Sequence, residues 1–189
     1  TGTTQVRARV FEGGKVVGPV LSQTYTIIEK ELETFTSNLP IVILNTFGKE
    51  VLRDTKVKGS VRFIDEKSGQ SAIVAEPDFD GRGDLNLRGH SSLRYLKRSF
   101  SLKTRDDAGK SRSVSILGFP EDSDWVLYAP YPDKTLLRDV LTYDLSRQMG
   151  RYAARTKFVE LFLNQVGGRM SRRHYMGVYV LEEKIKRSK

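Results

Sequence analysis

The chain has 189 residues, 38% of them hydrophobic, a formal net charge of +9 and no cysteine. That is enough for one full core, or one lobe with a small accessory module; it excludes disulfides, thiolate metal sites and cysteine nucleophiles, and the apolar run at 159–163 is too short to cross a bilayer. A basic balance attracts polyanions such as nucleotide phosphates, nucleic acid, anionic lipid or acidic polymers without choosing among them, and fits a solvated basic surface equally well.

The opening at Thr1–Gly2, with neither a Met nor a signal peptide, and the abrupt end at Lys189 read as a segment of a longer protein. Residues 4–11 alternate, with Val6, Ala8 and Val10 on one face and Gln5, Arg7 and Arg9 on the other, which predicts a half-buried antiparallel strand. Gly13–Gly14 and Gly18–Pro19 mark turns, and a second strand is expected at 25–28. Residues 1–29 thus read as the last hairpin of a β-sandwich, and 30–38 as a linker. A new unit, 39–189, opens with an apolar strand at 40–44. Strands are expected at 57–64 and 72–75, then a turn at Asp80–Gly81–Arg82–Gly83, then strands at 84–88 and 99–103. Asp133 is a good N-cap for the clearest helix, in which Leu137, Leu141 and Leu145 recur at helical spacing beside Val140. Gly150 stands where a C-terminal cap belongs. Strands resume at 157–163 and 177–181 around a loop at 164–176. This order predicts an α+β fold, an antiparallel sheet with one long helix.

Three stretches carry candidate chemistry. In 84–88, Asp84, Asn86 and Arg88 share a face; in 99–103, Ser99, Ser101 and Lys103 do. Leu85, Leu87, Phe100 and Leu102 are left for the core. The joining loop holds Gly89, Ser91, Ser92, Lys97 and Arg98. Small residues expose backbone N–H groups, and flanking cations neutralise phosphate charge. A strand, a small-residue loop and a strand bearing a lysine is the layout of a kinase nucleotide lobe. The same hairpin also fits an ordinary solvated sheet. On the helix, Asp144 stands one turn after Val140, either facing partly inward or lying on the surface; Asp139 reads as a surface acid. Residues 159–163 are apolar on both faces apart from Glu160, as in a central strand. Residues 181–185 leave the sheet as a hinge for an adenine or as a surface exit. The loop with Arg169, Arg172, Arg173 and His174 reads as exposed, or as a contact for an acidic partner. His90 and His174 lack convergent carboxylates or cysteines, so no metal site is expected on them.

The segment VRARVFEGGKVVGPVLSQTYTI at 6–27 resembles the end of a chitobiase/β-hexosaminidase C-terminal-type module. The motifs RGHSS…KRSFSLK, DSDWVLYAPYPDKTLLRDVLTYDLSRQMG and GVYVLEEKIK, taken in order, resemble the CotH kinase family (spore coat protein H-like) across 39–189. That resemblance implies the N-lobe of an atypical protein kinase. It implies a secreted bacterial kinase that uses ATP and Mg2+, or another divalent cation, to phosphorylate Ser or Thr of exported, coat or surface proteins. Arg88, Gly89, Ser91 and Ser92 match the family's small-residue loop, with His90 where Asn is usual. Lys97 and Arg98 match a basic pair, Lys103 the strand lysine, Arg138 the helix arginine and Glu183 the glutamate of the exit segment. Lys103 is expected to bridge the nucleotide phosphates, with Asp144 or Glu183 orienting it. The family's catalytic and metal-binding aspartates lie downstream of that glutamate, so no catalytic or metal residue is assigned. The cation would be held mainly beyond Lys189, and no catalysis is expected of these residues alone. The expected partners are a nucleotide and a secreted or surface protein, with no membrane span. Nucleic acid ranks last, since no binding motif accompanies the charge. A second reading is a non-catalytic cell-surface or carbohydrate-associated binding or scaffold module, which the front hairpin suggests.

Overall fold

Alternation of apolar and polar residues places many segments of the chain in strands. A computed structural model describes residues 2–186. In chain order the elements are β1 (Thr4–Glu12), β2 (Lys15–Tyr25), β3 (Thr36–Ser37), β4 (Ile41–Asn45), β5 (Val57–Ile64), β6 (Ser71–Ala72), β7 (Phe79–Arg88), β8 (Ser99–Arg105), β9 (Asp124–Tyr128), α1 (Arg138–Gln148), β10 (Thr156–Asn164) and β11 (Tyr175–Glu183). Seven strands close into a barrel in the order β10–β11–β9–β8–β7–β5–β4. The seam is a parallel pairing of β4 with β10, from Ile41 opposite Glu160 to Asn45 opposite Asn164.

This overturns the expected α+β arrangement. The molecule is predominantly β, and it is not the N-lobe of a kinase. Among the described residues the one α-helix has 11 residues, none of them buried. The reason is the seam: two apolar strands far apart in sequence find each other and remove both sheet edges. No local pattern announces such a pairing.

The barrel is filled by inward side chains. Leu44, Phe63, Leu85, Trp125, Leu127, Leu161, Tyr179 and Leu181 are all fully buried there, each contributing about 1.5–3 kcal/mol through removal from water. A second cluster lies outside the seam, where Ile41, Ile43 and Phe162 pack beneath Leu32, Ile73 and Met170. Strands β4 and β10 are therefore covered on both faces, which accounts for their unbroken apolar runs. Glu160, the polar exception in β10, is buried and accepts from Ser37 Oγ at 2.9 Å and from the Tyr175 hydroxyl at 2.5 Å.

Several local expectations change. Asp80–Gly81–Arg82–Gly83 is no turn; it lies inside β7. A Cβ at Gly83 would sit 2.6 Å from Val61 Cγ2, so the glycine marks a tight fit inside the barrel and not a bend. Gly18–Pro19 belongs to β2, where the register with β1 shifts between Ala8 and Val10; proline without an N–H suits that irregularity. Asp133 accepts from the Thr135 and Arg138 amides, but the helix starts only at Arg138, after Leu136 at φ 61°. Gly150 does end it: φ is 73°, its amide bonds to the Arg147 carbonyl, and the Arg151 amide bonds to Ser146. The basic loop before β11 exposes Arg169, Arg172 and Arg173 as expected, and it is anchored at other residues. Met170 and His174 are buried, Met170 bridges to Ile28, and the Arg172 amide donates to Glu31.

Candidate functional site

Strands β7, β8, β9 and β11 present one continuous outer wall. The barrel's inside is apolar, and alternate residues point outward, so polar side chains on these strands collect there. The register sets them in rows. Asp84 stands beside Lys103, which stands beside Asp124. The next row runs Asn86, Ser101, Val126, Glu182 and Thr156. Arg88 lies at the far edge, opposite Ser99.

The first row is a charge ladder. Lys103 Nζ donates to Asp124 Oδ2 at 2.9 Å, Arg105 reaches Asp84 at 2.7 Å, and Lys186 reaches Asp124 at 3.0 Å. The Lys103 side chain is 23% exposed and its partner's 15%, so each is mostly withdrawn from water. Burial raises the Asp124 pKa, but hydrogen bonds from Lys103 and Lys186 more than offset this. The carboxyl is held well below the usual carboxylate range. Lys103 is oriented by the neighbouring strand, not by Asp144 or Glu183. Asp144 instead accepts from Arg147 at 3.1 Å and Gln148 at 2.7 Å. Glu183 accepts from the Arg155 guanidinium and amide, both at 2.8 Å.

The Arg88 end is different. Here α1 leans on the wall, with Asp139 beside the Tyr128 hydroxyl; burial first, and then this carboxylate, pushes the phenol up. Tyr143 is raised by burial, Glu182 and Asp139, against the pull of Arg88. Glu182 is pushed up to about 7, chiefly by burial and secondly by Asp139, with Arg88 working the other way. Arg88, Tyr128, Asp139, Tyr143 and Glu182 therefore form one cluster: an exposed guanidinium, two phenols and two carboxyls, one of them poised to gain or lose a proton near neutral pH.

The helix meets this wall with its polar side. Leu137, Leu141, Leu145 and Met149 are 52, 56, 49 and 77% exposed. This leucine stripe points to solvent, because the wall beneath α1 is polar.

The loop after Arg88 folds back on itself. At Gly89 φ is 116°, and a Cβ there would lie 2.1 Å from Ser92 Oγ, so only glycine lets Ser92 tuck in. Ser91 opens the 3-10 turn Ser91–Arg94 and is exposed. Lys97 leaves the wall: its amine donates to the Val178 carbonyl at 2.6 Å and lies 4.6 Å above the Tyr179 ring. Burial lowers its pKa, partly opposed by Glu160. The Arg98 side chain is exposed, while its carbonyl accepts from the Tyr179 hydroxyl at 2.9 Å. Arg138 is exposed and 3.5 Å from Asp133.

The structure thus gathers Arg88, Gly89, Ser91 and Ser92 at one corner and puts Lys103 on the same wall. Lys97, Asp144 and Glu183 are engaged elsewhere. Sequence reasoning missed Glu182, Tyr128 and Tyr143; Asp139 is the surface acid expected, and it also reaches the Tyr128 hydroxyl. The signal for Glu182 was available: Tyr179 and Leu181 must face inward, so Glu182 and not Glu183 shares the outer face. Among the described residues, no three of His, Asp and Glu gather closely enough to hold a metal ion. No described helix is long and apolar enough to cross a membrane.

Residues 85–189 match the family described as CotH kinase protein, more than half of the chain. The match starts in β7, three residues before Arg88, and does not extend to the β1–β2 hairpin. No curated protein matches the chain.

Proposed function

The chain belongs to the CotH kinase family, and on that premise we propose that it supplies the nucleotide-gripping surface of a protein kinase that moves the γ-phosphate of ATP to Ser or Thr of exported, coat or surface proteins. The observation that carries this reading is the corner where exposed Arg88 meets the Gly89–Ser92 turn, above a wall that also bears Lys103. A guanidinium offers donors in a fixed fork to phosphate oxygens, and the turn brings serine hydroxyls beside it. The Lys103–Asp124 pair supports the same reading, since a strand lysine held by a carboxylate is the arrangement by which kinases position an amine against phosphates. Here the carboxylate comes from a strand, not a helix. These residues fit a polyphosphate; they do not form a cation-binding set, so we assign Mg2+ to no residue described here.

Titration of the protein with magnesium–ATP tests the reading. Arg88→Ala removes a charge-assisted contact worth about 1.5–3 kcal/mol, so affinity is expected to fall by about tenfold or more, and Lys103→Ala is expected to weaken binding too. Unchanged affinity in both variants, with folding intact by circular dichroism, would refute it. The non-catalytic binding module is favoured by one observation, the exposed apolar face of β1–β2 with Val6, Val10 and Leu21. It predicts no nucleotide binding at all.

A further inference from the structure

A second cationic site lies apart from the Arg88 corner, at the mouth of the barrel. A cleft of about 350 Å³ opens between the C-terminal end of α1, the start of β10 and the turn Leu117–Phe119. Its charged lining is Arg147, Arg155 and Lys157, with no acid, and Thr156 also borders it. Leu117 and Phe119 are buried and form an apolar floor.

The three cations are held in place from behind. Arg147 bonds to the Ala154 carbonyl at 2.5 Å and to Asp144 at 3.1 Å. Arg155 bonds to Glu183 at 2.8 Å. Lys157 bonds to Asp65 at 3.1 Å and to the Leu117 carbonyl at 3.2 Å. None of these acids lines the cleft. Each therefore fixes its cation without filling the space in front of it. A guanidinium carries five donors and an ammonium three, and the bonds above leave some of them free. The acids behind balance the three cations, so an anion in front is drawn by the donors left free, and the apolar floor lowers the local dielectric that strengthens that attraction.

We propose that this cleft binds a phosphoryl group, carried on a polypeptide or free as inorganic phosphate. The volume suits a phosphorylated side chain with a neighbouring residue, at the small end of ligand sites generally. Thr156 ends a row of the outer wall, but neither Arg88 nor Lys103 lines the cleft, so the site does not rest on the nucleotide reading.

The test is titration of the 15N-labelled protein with inorganic phosphate, with a phosphoserine peptide, and with the same peptide unphosphorylated, following the amides of Gly118 and Thr156. Saturable shifts of those amides with phosphate or the phosphopeptide, but not with the plain peptide, are expected. Response to the phosphopeptide alone assigns the group to a polypeptide; response to both assigns the phosphoryl group itself. Arg155→Gln is exposed enough to fold and is expected to weaken binding by about tenfold, the loss of one charge-assisted bond; Lys157→Gln provides a second variant should the first unfold. Lys103→Ala is expected to leave these shifts unchanged while weakening magnesium–ATP, which separates the two sites. Absence of shifts at millimolar phosphate and phosphopeptide, or shifts that survive undiminished in both cleft variants, would overturn the proposal.

Discussion

Glu182 couples the candidate site to pH. Its carboxyl has an ordinary value of 4.5 and is pushed up to about 7 in the fold, first by burial and then by Asp139. A raised carboxyl pKa means that the folded state binds the proton more tightly than the unfolded state. Its contribution to stability is therefore full below the unfolded value and declines as pH rises from about 4.5 through 7. Glu182→Gln removes the titration. The variant is expected to match the parent near pH 4 and to exceed it near pH 8 by up to ~3 kcal/mol, at 1.36 kcal/mol per pKa unit. Urea unfolding at both pH values checks this, and an unchanged pH profile in the variant would count against it. Asp124 runs the other way. The ammonium partners that hold it low add stability above its unfolded value, and this is lost as pH falls. Arg88 and Lys103 were legible as outward polar residues from period two alone. Their surroundings were not, because Asp124, Asp139 and Glu182 come from segments brought alongside only by the closed barrel.

At the level of elements, α1 separates pattern from placement. The i, i+4 leucines mark a helix correctly, since any helix aligns them on one side. Which side faces the protein depends on the surface beneath, and here that surface carries Arg88, Tyr128 and Glu182. Substitution on the stripe should accordingly behave as a surface change. Leu141→Gln is expected to alter stability by no more than about 0.5 kcal/mol, whereas Leu102→Ala, inside the barrel at 1% exposure, is expected to cost about 2–5 kcal/mol. Chemical denaturation of the two variants measures the contrast; a large loss from Leu141→Gln would mean that the stripe is packed. The end of α1 was readable in advance because Gly150 closes it through local geometry. The start was not, since Asp133 caps a turn that precedes the helix.

For the molecule as a whole, closure is the deciding event. Seven strands around one apolar interior leave little slack, and Gly83 shows where it is least: a Cβ there would lie 2.6 Å from Val61 and 2.9 Å from Leu102. Gly83→Ala is expected to destabilise by about 1–3 kcal/mol through overpacking, read as a lowered Tm; no loss would mean that the wall relaxes freely. Taken alone, the amino-acid order determined which residues alternate, hence the β7–β8 hairpin, the inward set Leu85, Phe100 and Leu102, the two-sided burial of β10, and the helix with its glycine stop. These follow from bond geometry over a few residues. The tertiary structure alone decided that β4 runs parallel to β10, that the sheet closes into a barrel, that α1 turns its polar side inward, and that Lys103 pairs with Asp124. Each of these is a contact between segments distant along the chain, fixed by the shared burial of apolar area, which no short window of sequence contains.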